Sequence, residues 1–155
     1  MTFQIEPLSA ERFLPLFSLD DEELAARNIE VHVADADAGY PCRLGLRFAK
    51  AGERLLLVNY EHVPHDTPYR ASHAIYIVQG AESVWPKVGE VPNSLQVPML
   101  SVRAFDARHR IIDGRLVAGE KLADTIGSIF DVPEVEYIHL HYPGRGCYAA
   151  CVRRA

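Results

Sequence analysis

Four consecutive apolar residues, Leu55-Leu56-Leu57-Val58, stand between Arg54 and Asn59. A strand sends alternate side chains to opposite faces, so a run that is apolar on both faces demands cover on both. Residues 54–60 are therefore predicted to form a central strand. Its neighbours in sequence supply partners. Leu44, Leu46 and Phe48 alternate with Gly45 and Arg47, and a turn over residues 50–53 leads from them into the central strand. Upstream, Ile29, Val31 and Val33 alternate with Glu30 and His32. Downstream, a polar loop over residues 61–72 precedes a strand over residues 73–78.

The second half repeats this pattern. Residues 100–105 and 110–117 read as a hairpin, with either Asp113-Gly114 or residues 107–109 as its turn. Residues 119–130 form the clearest helix, because Leu122, Ile126, Ile129 and Phe130 fall on one stripe and Pro133 stops it. Residues 135–142 and 147–153 make a last hairpin around Pro143-Gly144-Arg145-Gly146. Two short helices are expected near the start, over residues 9–17 and after Ser18, with Asn28 as a left-handed stop. Pro86, Pro92 and Pro98 make residues 80–98 irregular, with Trp85 expected to pin them to the core. The fold class is α+β, mainly antiparallel sheet built from hairpins. At 155 residues a single domain, 1–155, is expected.

Charge and composition narrow the function. The net charge is −5, and nine acids against two bases lie in the first forty residues. Such a balance argues against nucleic-acid binding, which needs a basic face. The bases beyond residue 40 are mostly arginines, which suit bidentate contacts to carboxylate or phosphate. No apolar run is long enough to span a membrane. The first residues have neither a basic n-region nor an apolar h-region, and three cysteines (Cys42, Cys147, Cys151) fit free thiols. The expected location is the cytoplasm. No phosphate-binding glycine loop and no nucleophile elbow occurs. Gly144-x-Gly146 precedes a strand and has no helix to hold a pyrophosphate.

Reactive side chains concentrate in four segments. Tyr40-Pro41-Cys42-Arg43 places Cys42 on an apolar row and Arg43 on the opposite face. The loop after the central strand carries Tyr69, Arg70, Ser72 and His73. Of these, Arg70 can fork onto an anion, and His73 starts an apolar row where a proton carrier would be partly desolvated. His62 and His65 are expected on the surface. His139-Leu140-His141 puts two imidazoles on one strand face about 6.6–6.8 Å apart, and Cys42 or Cys147 could complete a zinc site. Cys147 and Cys151 are expected on one strand face, about 13 Å apart, too far to bridge.

Pro41-Cys42-Arg43, Pro68-Tyr69-Arg70-Ala71-Ser72-His73, and His139 with Gly146-Cys147-Tyr148 stand in an order that resembles a family of small bacterial proteins known only as domain of unknown function 1203. The resemblance runs from Phe13 to the C-terminus. It implies a bacterial, single-domain protein and groups these residues into one pattern, without implying an activity.

Three readings follow. In the first, a metal-free pocket without a cofactor binds a small anionic molecule. Arg43 and Arg70 hold the anion, Tyr69 and Ser72 orient it, His73 or His139 moves a proton, and Cys42 or Cys147 is the nucleophile. In the second, the chain is a non-catalytic interaction module using Trp85 and the proline-rich segment. In the third, His139 and His141 hold zinc in a hydrolase. Edge strands of the hairpins could support a homodimer, though nothing requires one.

Overall fold

The computed structural model describes residues 2–155; Met1 lies outside them. In chain order the elements are β1 (Phe3–Glu6), α1 (Leu14–Phe17), α2 (Asp21–Ala25), β2 (Glu30–Val33), β3 (Pro41–Cys42), β4 (Arg47–Phe48), β5 (Arg54–Val63), β6 (Ala71–Val78), α3 (Asn93–Gln96), β7 (Met99–Phe105), β8 (Ile111–Ala118), α4 (Leu122–Phe130), β9 (Tyr137–Tyr142) and β10 (Cys147–Arg154). All strand pairings are antiparallel, and the fold is α+β. No helix among the described residues is long and apolar enough to cross a membrane.

Two sheets carry the structure. The larger has the order β1-β10-β9-β7-β8, and the smaller has the order β2-β5-β6. The apolar run Leu55 to Val58 lies on β5, the middle strand of the smaller sheet. Its outer partners are β2 and β6, and not the segment around Leu44. Residues 43–46 form a tight turn instead, in which Leu46 takes a left-handed φ of 49°, and only β3 and β4 pair across it. The alternation of Leu44, Leu46 and Phe48 thus reflects burial of Leu44 and Leu46 in a turn rather than a long strand.

Other departures have equally local causes. The N-terminal residues 3–6 add β1 to the edge of the larger sheet, beside β10. Asp20, and not Ser18, caps α2: its side chain accepts from the Glu23 N–H, and the Glu23 carboxylate accepts from the Asp20 N–H. Asn28 does adopt the left-handed stop, with φ 56°. The β7–β8 turn falls at residues 106–109, where the Asp106 carboxylate accepts from the N–H groups of Arg108 and Arg110. Asp113 and Gly114 lie within β8. Trp85 is 59% exposed, flanked by exposed Val84 and Val88, so it does not pin the irregular segment to the core.

The larger sheet has two different faces. One is covered by α4, whose stripe of Leu122, Ile126, Ile129 and Phe130 is buried against Val102, Ile138, Leu140 and Val152. Each such side chain contributes about 1.5–3 kcal/mol on burial. The other face turns toward the smaller sheet and joins Phe105, Tyr137, Tyr148 and Cys151 to the core around Leu56, Val58, Ile75 and Ile77. A bulge between Tyr148 and Ala150 sets which β10 residues look inward. It puts Tyr148 opposite His141 and Cys151 opposite His139, on the face toward the smaller sheet. It also places Cys147 and Cys151 on opposite faces, which corrects the plain-alternation expectation.

Gly119 tests this packing. An added Cβ there would lie 2.3 Å from the Leu95 carbonyl oxygen and 2.4 Å from that of Gln96. Gly119→Ala is expected to cost about 2 kcal/mol or more, because backbone atoms must move. Gly127→Ala, in α4 with nothing within 4 Å of its Cβ, is expected to gain about 0.5–1 kcal/mol. Urea unfolding of both variants checks the pair, and equal effects would contradict this account of the contact between α3 and the turn that precedes α4.

Candidate functional site

β9 is the middle strand of the larger sheet, and Tyr137, His139 and His141 project from its face toward the smaller sheet. β5 ends opposite them. Its inward row of Leu56, Val58 and Tyr60 continues to His62, where a bulge between Glu61 and Val63 distorts the strand. His62 is therefore buried, contrary to the surface position expected from a strand ending at Tyr60. The signal was available: the alternation simply runs two residues further.

His62, His139 and His141 form one cluster, and His141 is fully buried. One ring nitrogen from each lies within 4.8 Å of the other two. The His62 ring sits 4.8 Å from His141 and 5.7 Å from His139, centroid to centroid, and stacks on Tyr148 at 5.6 Å. Among the described residues, four buried side-chain nitrogens lack a hydrogen-bond partner. Three of them are His62 Nδ1, His139 Nδ1 and His141 Nε2. Buried polar atoms are nearly always paired, so three orphans in one cluster need a cause. His141 also has its tautomer set. Its Nδ1–H donates to the Gly146 carbonyl oxygen at 2.9 Å, which leaves Nε2 as a lone pair.

The electrostatics agree with three neutral imidazoles. Burial lowers His62 to about 4, His139 to about 2 and His141 to about 3. For His62 and His139 neighbouring positive charges act in the same direction. For His141, Arg103 and the histidines His62 and His73 also lower it, against the carbonyl of Gly146.

A cavity of about 220 Å³ reaches the cluster, walled at depth by His62, His139, Tyr148 and Cys151. At its rim are the stacked rings of His65 and His109, 3.3 Å between centroids, and the Glu6–Arg153 ion pair at 3.4 Å. Tyr137 O–H and His109 Nδ1 are hydrogen-bonded at 3.0 Å. His109 holds a left-handed φ of 60° at the tip of the β7–β8 turn.

Of the residues expected from the sequence to catalyse or to bind a ligand, His139 alone lines this cavity. Arg43 is buried, donates to the carbonyls of Tyr148 and Pro41, and lies over the Tyr142 ring. It holds three chain segments together and has no free fork for an anion. Arg70 is on the surface in an ion pair with Glu61 at 2.7 Å, and Tyr69 and Ser72 are exposed beside it. Arg43 and Arg70 therefore do not converge. His73 binds the Arg145 carbonyl through Nε2 at 2.8 Å and lies close enough to the cluster to disfavour protonation of His62 and His141. Cys42 is buried and its sulfur accepts from the Val78 N–H. Cys147 is half-buried on the other face of β10, and neither thiol joins the histidines. Cys151 lines the cavity, but burial raises its thiol to about 12, which keeps it protonated at neutral pH.

A pH dependence follows. Unfolded histidines titrate near 6.5, whereas these three titrate well below that in the folded chain. The unfolded state therefore binds more protons between about pH 6.5 and 4, and stability falls as pH drops through that window. For chelator-treated protein, urea midpoints measured from pH 7.5 to 4.5 should decline with a slope of about two to three protons. His139→Asn should remove about one proton from it. A flat profile would contradict neutral burial of the cluster.

No curated protein and no solved structure matches this chain. A family model does, over residues 39–154, a span that holds His62, His139 and His141 as well as Cys42, Arg43, Tyr69, Arg70, Ser72, His73 and Cys147. The chain belongs to the family described as proteins of unknown function, DUF1203.

Proposed function

We propose that the protein is a transition-metal protein, with His62, His139 and His141 as ligands and metal-assisted hydrolysis of a small molecule as its reaction class. The observation that carries this reading is a cluster of three buried histidines, each with an unpartnered ring nitrogen, that bring one ring nitrogen apiece within 4.8 Å of the others, with His62 and His139 lining a cavity. Neutral imidazole is what a divalent transition metal requires, and the depressed basicity of all three rings supplies it at neutral pH. A set of three histidines with no carboxylate or thiolate suits zinc and leaves its fourth position open.

Tetrahedral zinc, with Zn–N bonds of about 2.0–2.1 Å, needs its nitrogens about 3.4 Å apart. From at most 4.8 Å the rings close by roughly 1.4 Å, a movement that χ rotations of three side chains can absorb. The Gly146 carbonyl supports the ligand His141 from behind, the usual outer-shell arrangement of a metal-binding histidine. Bound there, the ion would lower the pKa of a coordinated water or polarise a carbonyl or phosphoryl oxygen. The chain's own contribution is a half-enclosed cavity, with the His65–His109 pair at its rim as proton-carrying groups and the Tyr137 hydroxyl hydrogen-bonded to His109.

This replaces the zinc pair His139 and His141, completed by cysteine, with a set completed by His62. The anion pocket built on Arg43 and Arg70 gains no support, since both guanidinium groups already have partners. The exposed Trp85, with Val84 and Val88, favours a contact surface as a second feature of the chain.

The expected result is one zinc per chain after metal-free preparation and back-titration, read by elemental analysis and calorimetry. At free zinc 100-fold above Kd, stability should rise by about 2.7 kcal/mol. His62→Asn, His139→Asn and His141→Asn should each weaken binding about 100-fold, whereas His73→Asn should not. Wild-type protein that binds no zinc, cobalt or iron stoichiometrically would sink the reading, whatever the variants do.

A further inference from the structure

The sheet that presents His139 and His141 also presents an arginine. Arg103 on β7 is the direct antiparallel partner of His139 on β9, and Ser101 is the partner of His141. Directly opposed residues share a face, with Cβ atoms about 4.5–5.5 Å apart. The Arg103 side chain is half-buried, and its Nε donates to Ser101 Oγ at 3.3 Å. Among the described residues no carboxylate pairs with it. A partly desolvated guanidinium without a counter-charge is costly, and burial lowers its basicity accordingly. Its charge also works against protonation of His62, His139 and His141, which places it within electrostatic reach of all three rings.

The charge count around the cluster is one-sided. Three neutral imidazoles bring no negative charge. The carboxylate that lines the cavity, Glu6, is held by Arg153. A divalent ion at the cluster would keep its full charge, with an unpaired arginine beside it. Two such positive charges side by side attract an anion.

We infer that the three-histidine site takes an oxyanion, a carboxylate or a phosphate group, with one oxygen at the open metal position and the Arg103 guanidinium as its second anchor. The inference rests on the metal reading above and names the ligand class for it. Arg103 acts here as a binding and positioning residue. Its planar fork can meet two oxygens in parallel, a fixed geometry that a lysine ammonium does not offer.

The test uses full-length protein loaded with one equivalent of cobalt(II), whose visible bands report the ligands at the ion. Inorganic phosphate and sodium acetate are titrated separately, with sodium chloride at matched ionic strength as the control. The bands should shift saturably with phosphate, with acetate, or with both. A response to phosphate alone supports a phosphate-bearing ligand, and a response to acetate alone supports a carboxylate. Arg103→Gln should keep one cobalt per chain and raise the anion Kd about tenfold or more, and Arg103→Lys should fall between. If wild-type protein binds no cobalt, the metal reading fails and takes this inference with it. Should cobalt bind while neither anion moves the bands beyond chloride, the anion inference alone is overturned. Equal anion affinity in wild type and Arg103→Gln would also overturn it.

Discussion

The position of β9 governs this structure. It is hydrogen-bonded on both sides, by β10 and β7, and covered on both faces, by α4 and by the smaller sheet. Every residue from Tyr137 to His141 is buried as a result. Ile138 and Leu140 meet α4 as ordinary core residues. The other row places Tyr137, His139 and His141 between two sheets, where water cannot satisfy them. Burying an unpaired imidazole nitrogen is unfavourable, and three together are more so. Packing supplies part of the offset: Phe105 stacks on Tyr137 at 4.9 Å, Tyr148 meets all three histidine rings, and the β9–β10 turn gives His141 a carbonyl.

The same constraint explains why the cluster is an electrostatic site and not merely a polar defect. With no carboxylate at hand, the rings cannot be stabilised as imidazolium ions, so burial holds them neutral. Neutral imidazoles with unpartnered nitrogens gain a stabilising partner when a cation enters. Arg103 sharpens the arrangement, because its charge opposes protonation of the rings while lacking an anion of its own. Arg43 shows the contrasting case. Its guanidinium is buried more deeply than that of Arg103, but carbonyl oxygens and the Tyr142 ring occupy it, and its role is to hold β3 against the β9–β10 hairpin.

Much of the fold was legible locally. The α4 stripe, the β9–β10 hairpin and the central strand β5 follow from periodicity and turn residues that no tertiary contact had to override. The errors came where periodicity was real but not caused by a strand. Leu44 and Leu46 are buried from a turn, and β1 is a short edge strand defined only by its partner β10. The site was half legible. His139 and His141 share a face by spacing alone. Cys42, Cys147, Arg43 and Arg70 had suggestive chemistry but no local signal of where their side chains would point.

By itself the sequence determined the longer strands, the helix α4 and the common face of His139 and His141, because these depend on periods of two and 3.6 residues along one chain. Tertiary structure alone decided that β5 would lie across β9, that a bulge would turn Tyr148 and Cys151 toward the smaller sheet, and that His62 would close the cluster. A metal-ligand set drawn from strands in two different sheets has no sequence period. It exists only once the packing of one sheet on the other has set the distance between them.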